Sequence, residues 1–288
     1  MTRIVRYGPP GVAAGRDAEA RLGIVDDDVV EPISPHELGP DVARMVERGT
    51  FGRIVNGQRG DRSNLIADVR LLAPLPAPPK IVAIGLNYVD HAAEARAALP
   101  TEPLVFAKFP SAIVGPGDPI TWDSSLTTGV DFEAELGVVI GRTARRVSPE
   151  RALDHVFAYT CLNDVSARDL QFADGQWVRG KSLDSFCPLG PWLVTVDEVP
   201  DPQSLAISCE VSGEVLQTGS TADMIFGVAE LIARLSRSFS LEPGDLIATG
   251  TPPGVGWYRD PRRLLRDGDV VVVSIERIGR LINPVSVS

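Results

Sequence analysis

The chain has 288 residues, a formal charge of −10 and 44% apolar residues, enough for one large domain or a large domain with a small companion around a buried core. The acidic balance argues against nucleic-acid binding, which needs a basic face for phosphates. No apolar run reaches the roughly 18–20 residues that span a bilayer.

The first residues, MTRIVRYGPP, lack the apolar segment of a secretory signal. Cys161, Cys187 and Cys209 have no CxxC spacing, so they read as reduced thiols of a cytoplasmic protein.

Residues 21–33 read as a hairpin, RLGIV and VVEPI around an acidic turn, and residues 40–48 as a short helix. Four prolines in LAPLPAPPK (72–80) predict an extended connector, because each fixes φ and disfavours helix before it. The expected division is therefore a small β-rich N-terminal domain over 1–75 and a main domain over 76–288. In the main domain, residues 80–85, 135–141, 191–196, 205–213, 245–250 and 269–287 are β-branched runs punctuated by Gly, Pro and Asp, and read as strands. One amphipathic helix is expected from Met224 to Phe239, with Ser220 or Thr221 capping its start. Strands and helices do not alternate regularly, so the expected fold is α+β, mostly β: a mixed β-sandwich or roll.

Acidic and apolar residues alternate in Asp131-Phe132-Glu133-Ala134-Glu135-Leu136. On a strand this places Asp131, Glu133 and Glu135 on one face. Three such carboxylates repel one another, and a hard cation removes that penalty; oxygen-only ligands select Mg²⁺, Mn²⁺ or Ca²⁺ over Zn²⁺. A solvated polar strand face fits the same pattern. Ser148-Pro149 reads as a helix start, and Asp164 as the end of the strand that follows. His91 precedes Glu94 by three residues among helix formers, so the two share a face; this suits a carboxylate-supported general base or an ordinary surface pair. His36 and His155 read as surface or packing residues.

GLNYVDHAAE (85–94), EPLVFAKFPSAIVGPGDPI (102–120), VDFEAELGVVIG (130–141), CLNDVSARDLQ (161–171), GQWVRGKSLDSFCPLGPWLV (175–194) and GDLIATGTPPGVG (244–256) together resemble the fumarylacetoacetate hydrolase family, in the family's order, over roughly 80–287. The resemblance implies a homodimer built on a mixed β-roll, with Mg²⁺ or Mn²⁺ (Ca²⁺ also compatible) and no organic cofactor. It implies metal ligands at Glu133, Glu135 and Asp164, with Asp131 supporting them, and His91 oriented by Glu94 as the base on a short lid over 87–101. It further implies Lys181 as the charge that steadies an enolate, and Arg168, Gln171, Gly250 and Thr251 as substrate-binding positions. The implied substrate is a small anionic keto acid. The expected reaction is hydrolytic C–C cleavage of a β-diketo or acylpyruvate-type acid through an enolate held at the metal. Isomerisation or decarboxylation of a 2-oxo or 2-hydroxy-dienoate dicarboxylic acid, such as oxaloacetate, is the alternative on the same scaffold. A non-catalytic ligand-binding member is the distant one.

Overall fold

The computed structural model describes residues 2–11, 19–33 and 64–288. His36 and the helix expected at 40–48 lie outside the described residues.

The expected strands form, and they form because they are buried. Ala134–Ile140 is buried at all seven positions, with its antiparallel partner Val156–Asn163 on one side and Leu246–Ala248 on the other. Its near-continuous apolar run suits a central strand covered on both faces. The sheet continues through Ile81–Gly85, parallel to Leu246–Ala248, and ends on the edge strand Leu104–Lys108. At the other end Cys187–Thr195 pairs with Val156–Asn163, and Arg3–Gly8 pairs with Cys187–Thr195. The predicted hairpin, Arg21–Asp26 and Val29–Pro32, extends the sheet beyond Arg3–Gly8. Among the described residues the N-terminal strands thus join the main sheet. LAPLPAPPK forms no helix, as its prolines require.

A second, five-stranded sheet contains Ala206–Val211 and the hairpin Val270–Ile275 and Gly279–Val287. Residues 269–287 are therefore two strands, broken at Glu276 to Ile278. The largest apolar core lies between the sheets and includes Leu136, Val138, Tyr159, Val273 and Leu281.

The amphipathic helix runs Val228–Ser238, shorter than its periodicity predicts. Val228, Leu231, Ile232 and Leu235 are buried, each worth about 1.5–3 kcal/mol against exposure. Ser220 caps only the short turn Thr221–Asp223, accepting from the Ala222 amide at 3.2 Å. Met224 to Phe226 stay out of the helix, because Asn87 captures Ile225 and Phe226. The Asn87 carbonyl accepts from the Ile225 amide, and its side chain both accepts from the Phe226 amide and donates to the Phe226 carbonyl. The helix begins at Val228, whose amide donates to Gln203 Oε1 at 2.6 Å.

No helix among the described residues is long and apolar enough to cross a membrane, which does not bear on β-barrels.

Candidate active site

The acidic alternation is not one continuous strand. Val130–Asp131 pairs with Ser166–Ala167, and the next strand begins only at Ala134. Between them the Glu133 amide donates to the Asn163 side chain at 3.0 Å, and its carbonyl accepts from the Asp164 amide at 2.9 Å. This break turns Asp131 away from the other two. Asp131 accepts instead from the Gly256 and Trp257 amides at 2.8 and 3.1 Å and from Arg168 Nε at 2.9 Å. The shared face predicted for all three residues holds only for Glu133 and Glu135.

Asp164, just past the end of Val156–Asn163, completes the group. Glu133, Glu135 and Asp164 are all buried, and each offers a ligand oxygen within 4.8 Å of the others. Burial pushes the Glu135 carboxyl well up, and the neighbouring Asp164 and Glu133 charges add to it. Burial also opposes the Glu133 charge, but Lys181, Arg168 and His91 outweigh it and bring that carboxyl to about 2.

Two buried lysines face this group. Lys181 Nζ lies 2.7 Å from Glu133 Oε2 and 2.7 Å from Asp164 Oδ2. Burial lowers its proton affinity, but Asp164 and Glu133 raise it further, so it stays charged. Lys108, which no sequence reading singled out, donates to Asp164 Oδ1 at 2.6 Å and to the Lys181 carbonyl. Its only sequence signal is a lone cation in the apolar run LVFAK. Arg168 pairs with Asp131 and, at 2.7 Å, with Glu133. With all four carboxylates ionised, Asp131, Glu133, Glu135 and Asp164 against Arg168, Lys181 and Lys108 carry one formal negative charge, and the raised Glu135 carboxyl is the mark of that crowding. A cation at the trio would relieve it by favouring the ionised form of Glu135. The trio's all-oxygen donors fit a hard divalent ion, which would turn the net charge positive and suit an anionic substrate.

A cleft of about 180 Å³ opens onto the trio; His91, Glu133, Glu135, Arg168, Gln171, Lys181 and Thr251 line it. Asp164 lies beneath these residues, and Glu94 stands behind His91. His91 Nδ1 meets Glu94 Oε2 at 3.1 Å on the helix Val89–Glu94. That helix is shorter than DHAAEARAAL suggests, since Arg96 turns left-handed at φ 54°. Asn87 and Tyr88, the first residues of the lid expected over 87–101, are fully buried.

Gln171 accepts from Arg168 at 3.2 Å and reaches the cleft wall. The Gly250 amide is given to Glu135 Oε2 at 2.9 Å rather than to the cleft, and Thr251 donates its hydroxyl to the Ala134 carbonyl at 2.9 Å. Both groups are thus engaged within the protein, while Thr251 also lines the cleft. Trp177, Phe172 and Tyr258 form an aromatic wall that sequence reasoning did not identify. Gly85 makes room for it: a Cβ there would lie 2.4 Å from the Trp177 ring.

Residues 80–286 match the family model described as fumarylacetoacetate (FAA) hydrolase C-terminal. The chain belongs to this family. It is 41% identical to the mitochondrial oxaloacetate tautomerase FAHD2A of Bos taurus over 98% of the chain and 91% of that protein. It is 44% identical to oxaloacetate tautomerase YisK of Bacillus subtilis over 85% of the chain and 82% of that protein. Among solved structures it resembles a fumarylacetoacetate hydrolase from Exiguobacterium antarcticum (TM-score 0.86, 41% identity, all of both chains). It also resembles the 2-hydroxyhepta-2,4-diene-1,7-dioate isomerase of Mycobacterium marinum (TM-score 0.80, 37% identity, 100% of this chain and 99% of that one). The chain is an enzyme of this family, whose members are typically divalent-metal dependent.

Proposed function

We propose that the enzyme is a divalent-metal-dependent tautomerase of small 2-oxo dicarboxylic acids, interconverting the enol and keto forms of oxaloacetate. The relatives named above support this isomerase-type reading better than the C–C hydrolysis expected from the sequence. The observation that carries it is the placement of His91. Its Nδ1 is committed to Glu94, while among the described residues its Nε2 makes no hydrogen bond, and the ring lines the cleft above the carboxylate trio. A carboxylate on Nδ1 fixes the tautomer that leaves Nε2 as a base.

Tautomerisation breaks the enol O–H bond, forms a C–H bond on the carbon next to the oxygen-bearing one as the double bond shifts to C=O, and consumes no water. His91 Nε2 takes the proton and returns it to carbon. Arg168 and Lys181 hold the substrate's carboxylates in the cleft, and Trp177 and Tyr258 exclude water. A divalent ion held by Glu133, Glu135 and Asp164 supplies, when bound, Lewis-acidic charge for the deprotonated enol. The cleft volume, about 180 Å³, falls below the roughly 300–1,000 Å³ of pockets for drug-sized ligands and favours a four-carbon acid.

We assign Mg²⁺ or Mn²⁺ as the ion and a homodimer as the working state. The edge strand Leu104–Lys108 supports the dimer, since Leu104, Val105 and the adjoining Phe109 are exposed at the end of the sheet.

The decisive experiment follows the ultraviolet absorbance of enol oxaloacetate with Mn²⁺ or with chelator, while pyruvate formation and acylpyruvate cleavage are assayed in parallel. Metal-dependent loss of enol absorbance without matching pyruvate supports the tautomerase. Rapid acylpyruvate cleavage with no effect on the enol restores the hydrolase reading.

A further inference from the structure

The turn over 250–257 uses its backbone donors on the protein's own carboxylates. The Gly250 amide goes to Glu135, and those of Gly256 and Trp257 go to Asp131. The Gly254 amide goes to both oxygens of Glu94, at 3.1 and 3.2 Å. The first three contacts stay within the buried frame of the site. The fourth reaches across to the short helix that carries His91.

The turn is itself held against the strand Glu214–Ser220. Gln217 Nε2 donates to Thr251 Oγ1 and to the Pro252 carbonyl, each at 2.8 Å. At the far end Arg259 Nε donates to the Gly254 carbonyl at 3.1 Å, and its terminal nitrogen donates to the Leu216 carbonyl. Gly254 sits at φ 104°, and a Cβ there would lie 2.2 Å from the Leu216 oxygen. Only a glycine lets the turn pack this closely on Leu216, and the Arg259 guanidinium ties the Gly254 and Leu216 carbonyls together.

We propose that the Gly254 amide is the docking point that sets the His91–Glu94 pair in its working position, and that Arg259 is the positioning residue that aims it. The proposal rests on the reading of His91 as the proton carrier. Glu94 has three side-chain torsions and, on a surface helix, would sample several of them. The Gly254 amide selects the one in which Oε2 faces His91 Nδ1. Asn87 anchors the beginning of this segment, and Glu94 on Gly254 anchors its end, so the pair is held from both sides. Arg259 does this without touching the cleft.

The test compares Arg259→Gln and Arg259→Lys in the full chain, with circular dichroism confirming the fold. Nitrogen-15 resonances of the His91 ring and of the Gly254 amide report the latch directly, and steady-state kinetics report its effect. In Arg259→Gln both resonances should move and kcat should fall between about tenfold and a hundredfold, as for a catalytic group displaced by about 1 Å. KM should stay within about twofold, because substrate contacts are untouched. Arg259→Lys should restore part of kcat. Unmoved His91 and Gly254 resonances in folded Arg259→Gln overturn the proposal. Should that variant fail to fold, Glu94→Gln reads the same contact, and an unmoved Gly254 amide there overturns it equally. If the native chain leaves oxaloacetate unchanged, the tautomerase reading fails while the resonances still decide the latch.

Discussion

Replacing Lys108 with methionine should destabilise the protein far more than its distance from the cleft suggests. The side chain is fully buried, and its ammonium joins three parts of the fold. It lies on the edge strand Leu104–Lys108, meets Asp164 at 2.6 Å and donates to the main-chain carbonyl of Lys181. Methionine keeps the volume and the stem, so the change isolates the charge. Asp164 Oδ1 and the Lys181 carbonyl are then left buried without their donor. Breaking a buried ion pair by removing one partner costs roughly 3–5 kcal/mol, well above the net value of an ordinary hydrogen bond. For 288 residues, at about 2.1 cal/mol/K of unfolding entropy each, that corresponds to a fall of roughly 5–8 °C in the thermal midpoint. The assay is calorimetric unfolding in chelator, so that metal binding does not enter the comparison. Asp154→Asn serves as the control, because the Arg151–Asp154 pair is exposed on both sides and its loss should leave the midpoint in place. A fall of less than about 2 °C for Lys108→Met would refute the reasoning that this cation holds the site together.

Glu133→Gln should abolish both metal-dependent turnover and the rise in thermal midpoint on adding Mn²⁺, whereas His91→Ala should lose turnover and keep that rise. Full activity of Glu133→Gln in the presence of chelator would remove the metal assignment. Burial pushes the Cys187 thiol up to about 12, and the Cys161 and Cys209 thiols are also raised by burial, so no cysteine should react with a thiol reagent at pH 8 until the chain unfolds. Rapid modification of the native protein would show that these residues are not in the core. Burial opposes the Asp269 charge, but Arg263, Ser212 and the Arg266 amide outweigh it and hold the carboxyl below its usual range. A depressed carboxylate stabilises the fold above its unfolded-state value of about 4, and that contribution is lost as pH falls through the lower folded-state value. Asp269→Asn should therefore lower the midpoint at neutral pH, and the difference should shrink below about pH 4; an equal deficit at both pH values would contradict this.

Much of the fold was legible because burial leaves a direct trace in the sequence. The all-apolar run GVVI in the central strand and the helical spacing of Val228, Leu231, Ile232 and Leu235 mark elements wherever the chain packs them. Element ends were less legible. Met224 and Ile225 continue the helical period but stay out of the helix because Asn87, far away in sequence, captures Ile225 and Phe226, and no local pattern carries that competition. The candidate site divides in the same way. Glu133 and Glu135 could be read from strand spacing, whereas Asp164 came only from the resemblance.

By itself the sequence determined the residue types that can hold a hard cation and move a proton, and the strand periodicity that buries them. Tertiary structure alone decided which groups Asp131 meets, since the break at Phe132 and Glu133 hands it to Arg168 and the Gly256 amide. It also supplied Lys108 from the sheet edge and gave the Gly254 amide to Glu94. The physical reason is that charge balance and hydrogen-bond satisfaction in a buried site are set over whatever groups the fold brings within about 3 Å, however far apart they lie in the chain.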